Sequence, residues 1–259
     1  MKKIYMKKMS LLSIAVHTGT YQEFMHNILD TAATRSSRYA CVANVHMLVE
    51  AHQDAAFASI VRGAGIITPD GKPLAWALRL LHGIRQERVA GMDLLPDLLA
   101  EAEQRQLSVF FYGGQQSLLD TTAQYVEKHY PRLPVAGLYS PPFRALTSAE
   151  DEAIVERINA SGAQLVFVVL GCPKQEKWMA AMQGRIRATM IGVGGALPVM
   201  IGTQKRAPRW MQKGGLEWLY RLGQEPARLM KRYAVTNTIF LLLLGKAFLR
   251  RRLGRPELT

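Results

Sequence analysis

Cysteine is nearly missing from this chain. Cys41 and Cys172 are its only two in 259 residues, and neither stands in a spacing that reads as a disulfide framework or a metal-ligand set. The expectation is a reducing compartment. No stretch reaches the roughly 20 consecutive apolar residues that span a bilayer; the run at 239–244 has six. The opening MKKIYMKKMSLLSIAVH has the lysines of a signal peptide, but its apolar part is short, broken by Ser13 and followed by no small-x-small cleavage site. It reads as a cytosolic start leading into a first strand. A Walker A loop, an Asp-x-Asp pair and a His/Asp/Glu cluster with metal spacing are also missing. Any phosphate is then expected to be held by arginines and helix ends, with no metal and no cofactor.

Acidic residues are the scarce charge: 33 Lys and Arg face 20 Asp and Glu, a formal net charge of +13. The excess is local. Over 204–259, thirteen basic residues face only Glu217, Glu225 and Glu257, which puts ten of those thirteen net charges there. Charge concentrated in this way marks one anion-binding surface rather than a generally basic protein.

Short apolar runs alternate with amphipathic stretches over the first two hundred residues. Strands are expected at 11–16, 39–43, 65–68, 108–112, 135–139, 165–171 and 188–193. Between them lie helical patterns, two opened by the capping-box pairs Thr20 with Glu23 and Thr147 with Glu150. The strands are apolar throughout instead of alternating, which suits a mostly parallel sheet with helices on both faces, a Rossmann-like α/β core. After residue 203 the alternation stops, so the expected division is a core over 1–203 and a helical, basic C-terminal appendage over 204–259. Within the appendage, Glu225 and Pro226 start a helix that sets Arg228 and Arg232 four apart on one face, and a further apolar helix is expected at 234–249. That helix would be about 24 Å long, short of the ~30 Å hydrocarbon layer. It would lie on a membrane surface with Arg250, Arg251 and Arg252 beside it, or pack on its own core.

Ligands of an open parallel sheet sit at the carboxyl ends of the strands, and four such places carry polar residues. Asn44 ends the run YACVAN and caps a helix or holds a ligand. Thr68-Pro69-Asp70-Gly71 is turn chemistry that also sets a carboxylate where a general base would stand. Gly171-Cys172-Pro173-Lys174-Gln175-Glu176 is a strand-to-helix turn or a phosphate site at a helix start. The turn Gly192-Val193-Gly194-Gly195 allows close approach of a ligand but lacks the full dinucleotide fingerprint. Arg221, Arg228 and Arg232 add guanidinium groups that match diphosphate, or form a solvated basic face.

Taken in order, TPDG at 68–71, AGMDLL at 90–95, FYGG at 111–114, GCPKQE at 171–176, GVGGALP at 192–198 and the arginine block KRAPRW…GLEWLYRL…EPARLMKRY resemble the WecG/TagA/CpsF family of bacterial glycosyltransferases (glycosyltransferase family 26) from about Ser10 to Tyr233. The resemblance implies a metal-independent inverting transfer from a UDP-sugar to a sugar on polyprenyl diphosphate, at the cytoplasmic face of the bacterial plasma membrane, in surface-polysaccharide synthesis. Asp70 would be the general base, with Arg221 and Arg228 stabilising the departing UDP. Asn44 and Gln175 would orient the substrates. Thr68, Gly71, Gly113, Gly114, Lys174, Gly192, Gly194, Gly195, Arg206 and Arg232 would complete the contacts. Val42 stands where some relatives carry a hydroxyl residue. The sugar and a homo-oligomer are left open. Two other classes remain beside this one: a basic nucleic-acid-binding protein, opposed by the absence of a base-stacking or helix-turn-helix pattern, and a nicotinamide-dependent oxidoreductase, opposed by the incomplete glycine fingerprint.

Overall fold

The computed structural model describes residues 6–253. The chain opens with an antiparallel hairpin, β1 (Lys7–Leu11) and β2 (Ile14–Thr18), followed by α1 (Tyr21–Ala33). There follow β3 (Arg38–Ala43), α2 (Val45–Gln53), α3 (Ala55–Gly63), β4 (Ile66–Pro69), α4 (Lys72–His82), α5 (Gly91–Gln104), β5 (Val109–Tyr112), α6 (Gln116–His129) and β6 (Val135–Tyr139). The core closes with α7 (Ser148–Ala160), β7 (Leu165–Val168), α8 (Lys174–Met182), β8 (Thr189–Gly192) and α9 (Ala196–Met200). The last three elements are α10 (Arg209–Gly214), α11 (Glu217–Gln224) and α12 (Pro226–Arg252).

Six strands form one parallel sheet in the order β4-β3-β8-β7-β5-β6. Period-two side-chain direction divides the core between its faces. Tyr39, Cys41, Ile67, Phe110, Tyr112, Val166, Val168 and Met190 pack with α2, α3, α4 and α8, whereas Ala40, Val42, Ile66, Val109, Phe111, Leu165, Phe167 and Ile191 pack with α1, α5 and α6. Burial on both sides explains why these strands read as unbroken apolar runs. Both expected capping boxes are formed, at Thr20/Glu23 and Thr147/Glu150.

The structure differs from the sequence reading most in two places. The run 11–16 is not one strand: Leu12, at φ 58°, and Ser13 turn the chain, and the apolar residues are shared between β1 and β2. The C-terminal helix is one element of 27 residues, not a 16-residue segment, because Pro226 at its first turn starts it early. At about 1.5 Å per residue it is about 40 Å long, and it is long and apolar enough to cross a membrane. One side of it is packed on the domain: Leu229, Thr236 and Phe240 are buried, and Ile239, Leu243, Leu244, Ala247 and Phe248 rest on the core. Leu241, Leu242, Leu249 and Leu253 are exposed.

The hairpin secures the β4 side of the sheet, where the Ile67 N–H donates to Nδ1 of His17 at 3.0 Å. Burial, with Lys8 nearby, lowers the His17 pKa to about 4, so the ring stays neutral and can accept. The unfolded chain takes up a proton near pH 6.5 and the folded one only near 4; this stabilisation is present at neutral pH and is lost as pH falls through that window. His17→Ala is expected to cost about 1–3 kcal/mol at pH 7 and to flatten the dependence of unfolding free energy on pH between those limits. Denaturant titrations at several pH values check this; an unchanged slope would refute the role of His17.

Candidate active site

The carboxyl ends of the strands meet the appendage, and the polar residues converge there. Asp70 follows β4, and its N–H donates to the Ala43 carbonyl at 2.7 Å, which ties it to the end of β3. Gly71, at φ 87°, then lets the chain reverse directly into α4. Thr68 is fully buried, and its hydroxyl donates to the Val89 carbonyl at 3.3 Å. This bond, with Val89 N–H to Pro69 O at 3.1 Å, holds the segment carrying Arg88 beside the site.

Arg88 is the residue that the sequence reading missed. Its guanidinium contacts Asp93 at 2.6 Å on one side and Glu217 of α11 on the other, while Arg206 also reaches Asp93. The charges form a partly buried array around Asp70. Desolvation raises the Asp70 pKa, Arg88 and Arg221 oppose that rise, and Glu217 and Asp93 reinforce it; the result is about 7. The available signals were Asp93 inside AGMDLL and a lone arginine before it, with nothing local to connect either to Glu217.

Arg221 lies across the glycine turn after β8: a Cβ on Gly195 would come within 2.7 Å of its Nη2. A guanidinium thus sits over the strand ends, within electrostatic reach of Asp70. Arg228 takes a different course. It is exposed and turns back to pair with Glu225, the residue that precedes α12, so its charge is met by a carboxylate at the helix start. Arg232 lies within electrostatic reach of α2, where its charge adds to the effect of burial in disfavouring protonation of His46.

Gln175 and Glu176 are buried, 5% and 0% exposed. The Gln175 amide accepts from Gly171 N–H at 3.1 Å and donates to Glu176 Oε1 at 2.8 Å. It fills the space beneath the β8 turn, since a Cβ on Gly192 would lie 2.6 Å from its Nε2 and one on Gly194 3.1 Å from its Oε1. One amide therefore joins the loops after β7 and β8, and the side chain expected to meet substrate is also the one that shapes this crevice. Asn44 caps α2 through Oδ1, which accepts from Met47 N–H at 3.1 Å and leaves the amide nitrogen outside the cap. Lys174 is exposed at the start of α8. Gly113 and Gly114 lie against the Val169 carbonyl and Leu118, with no room for side chains. Cys172 is held far from thiolate reactivity because burial and Glu176 push its pKa up. Among the described residues no group of three or more His, Cys, Asp or Glu side chains could hold a metal ion.

Asp70 at a strand end, with Arg88 and Arg221 within electrostatic reach, lies where an open parallel sheet holds its ligands, and the protein is a glycosyltransferase. The sequence profile of the Glycosyl transferase WecG/TagA/CpsF family matches residues 9–254, and the chain belongs to that family. It is similar to the N-acetylglucosaminyldiphosphoundecaprenol N-acetyl-beta-D-mannosaminyltransferase of Bacillus spizizenii, 33% identical over 191 residues, 73% of this chain and 72% of that protein. It is also similar to the Staphylococcus aureus protein of the same name, 28% identical over 217 residues, 83% of this chain and 84% of the relative.

The raised Asp70 pKa has a measurable cost. The folded state keeps this proton up to about pH 7 while the unfolded state loses it near 3.8, so stability falls as pH rises through that window and the cost is fully present above it. Asp70→Asn is expected to stabilise the fold at pH 8 by up to about 4 kcal/mol and to flatten the stability profile between pH 4 and 7. Denaturant midpoints across that range check it; a variant less stable than wild type at pH 8 would show that Asp70 is not held under this constraint.

Proposed function

We propose that the protein transfers one hexose-type residue from a UDP-sugar to a saccharide on polyprenyl diphosphate, with inversion and without a metal ion, in the synthesis of a bacterial surface polysaccharide. The observation that carries this reading is Asp70, raised to about 7 and facing Arg221, which rests on Gly195. A carboxylate of that basicity takes the proton of the acceptor hydroxyl as its oxygen attacks the anomeric carbon. The bond from that carbon to the UDP oxygen breaks, and the electron pair leaves with the diphosphate. Arg221, with Arg206, meets the charge that develops there. Arg228 contributes to the leaving-group site only if substrate draws it from Glu225. The Asn44 amide and the Gln175 shelf orient the sugars, and Lys174 with the start of α8 faces phosphate.

The relatives' names supply the acceptor class, a diphosphoundecaprenol-linked N-acetylglucosamine, and N-acetylmannosamine as the first donor to try. Glucosyl and mannosaminuronyl donors are its competitors, and Val42 is a position where selection between them could differ from relatives. In this reading 1–203 is the catalytic core and 204–259 an appendage that closes the site and holds the enzyme to the cytoplasmic leaflet. The leucines exposed on α12 and the arginines 250–252 support that attachment: apolar insertion and attraction to anionic lipid act together.

The test is UDP release from a panel of UDP-sugars in EDTA, with and without a short-chain polyprenyl-diphosphate-linked N-acetylglucosamine. Acceptor-dependent release from one donor, rising with pH through about 7 and lost in Asp70→Asn, is the expected result. Full activity in that variant, or turnover only on addition of a divalent ion, would overturn the assignment.

A further inference from the structure

The two ends of α12 have different surroundings, and a groove lies beside its second half. Near its start, Arg232 acts on His46 in the first turn of α2, and the Arg232 Nε is shielded from solvent without a hydrogen-bond partner. Further along, Ile239, Leu242, Leu243 and Lys246 form one wall of an open groove of about 480 Å³, with His52 and Gln53 at the end of α2 opposite them. Both helices therefore advance in the same sense, from the strand ends toward the far side of the domain. The α12 wall is spaced i, i+3, i+4 and i+7, a single helical stripe, apolar until it reaches Lys246. Leu242 is 68% exposed within it.

We infer that this groove seats the first isoprene units of the lipid-linked acceptor, an inference that rests on the acceptor class proposed above. The part of the occupant that meets Ile239, Leu242 and Leu243 has to be apolar, because that stripe offers no hydrogen bonds, while His52, Gln53 and Lys246 line the rest. Its anionic end would lie at the α2 start, about 10 Å back along α12 from Ile239, where Arg232 has an unspent donor. At its other end it has to pass into lipid, since the same helix carries exposed Leu241 and Leu249 and ends in the arginines 250–252. A polyprenyl diphosphate meets all three requirements. From Arg232 to Leu242 the helix rises about 15 Å, the length of a few isoprene units. The path would lead the chain from the catalytic crevice, along the side of the domain, to the bilayer on which α12 rests.

Ile239→Trp fills the groove without touching any residue placed in catalysis. With the full-length protein, the KM for a long-chain polyprenyl-diphosphate acceptor is expected to rise about tenfold, while the KM values for a short-chain acceptor with the same head group and for the UDP-sugar stay within about twofold. Sedimentation with anionic vesicles should be unchanged. If that variant does not fold, Gln53→Trp, at an exposed position on the opposite wall, is expected to show the same selectivity. Equal shifts for both acceptors, or none, would overturn the inference. So would a groove substitution that abolishes self-association without acceptor selectivity, which would assign the groove to a second copy of this chain. Direct binding of a polyprenyl diphosphate without sugar reads the groove independently of turnover. Binding lost in Ile239→Trp, in a protein whose wild type releases no UDP from any donor, would uphold the groove and sink the proposed reaction instead; binding equal in both proteins would sink the groove.

Discussion

The site depends on one guanidinium held between two carboxylates that belong to distant parts of the chain. Arg88 joins Asp93, at the start of α5, to Glu217, at the start of α11, and so fastens the appendage to the parallel sheet. Arg206 adds a second cation on Asp93. Breaking such a partly buried array by removing one member would leave its partners uncompensated, a loss of about 3–5 kcal/mol where burial is complete and less here. Asp70 lies within the same field. Its pKa follows from the balance of two acids and two arginines around a desolvated carboxyl, so fastening the appendage and tuning the proposed base are one electrostatic arrangement.

The same closure sets the geometry beyond the carboxylate. With α11 in place, Arg221 reaches the β8 glycine turn, and Trp218 packs edge-on against Tyr233 with ring centroids 5.9 Å apart, which couples α11 to α12. The long helix then lies along α2 with its apolar stripe partly covered and its leucines at 241, 242 and 249 outside. A protein working on a lipid-linked substrate would have its catalytic crevice and its lipid-facing surface fixed to each other by this path of contacts.

Much of the sheet was legible in the sequence because parallel strands buried on both faces leave apolar runs that little else produces. Capping residues at Thr20 and Thr147 were legible for a local reason, since their partners lie three positions away. The hairpin turn at Leu12 was not: it carries no glycine, asparagine or proline, and a left-handed leucine inside an apolar run leaves no compositional trace. The true length of α12 was obscured because its first turns are basic and polar while its middle is apolar, two patterns that read as separate segments. Strand-end logic brought Asp70, Asn44, Gln175 and the β8 glycines to notice. It could not find Arg88, whose meaning comes from Glu217, 129 positions away. Nor could it tell that Gln175 is wedged under the glycine turn, or that Arg228 is paired with the residue that precedes its helix.

Burial raises the Asp70 pKa, and Glu217 of the appendage adds to that rise. This central claim is tested most directly by following the Asp70 side-chain carboxyl with selectively ¹³C-labelled aspartate, assigned against Asp70→Asn, in wild type and in Glu217→Gln. The account predicts a titration midpoint near 7 in wild type and a lower one in the variant, because a neighbouring negative charge has been removed. A midpoint in the ordinary range near 4 in both proteins would contradict it.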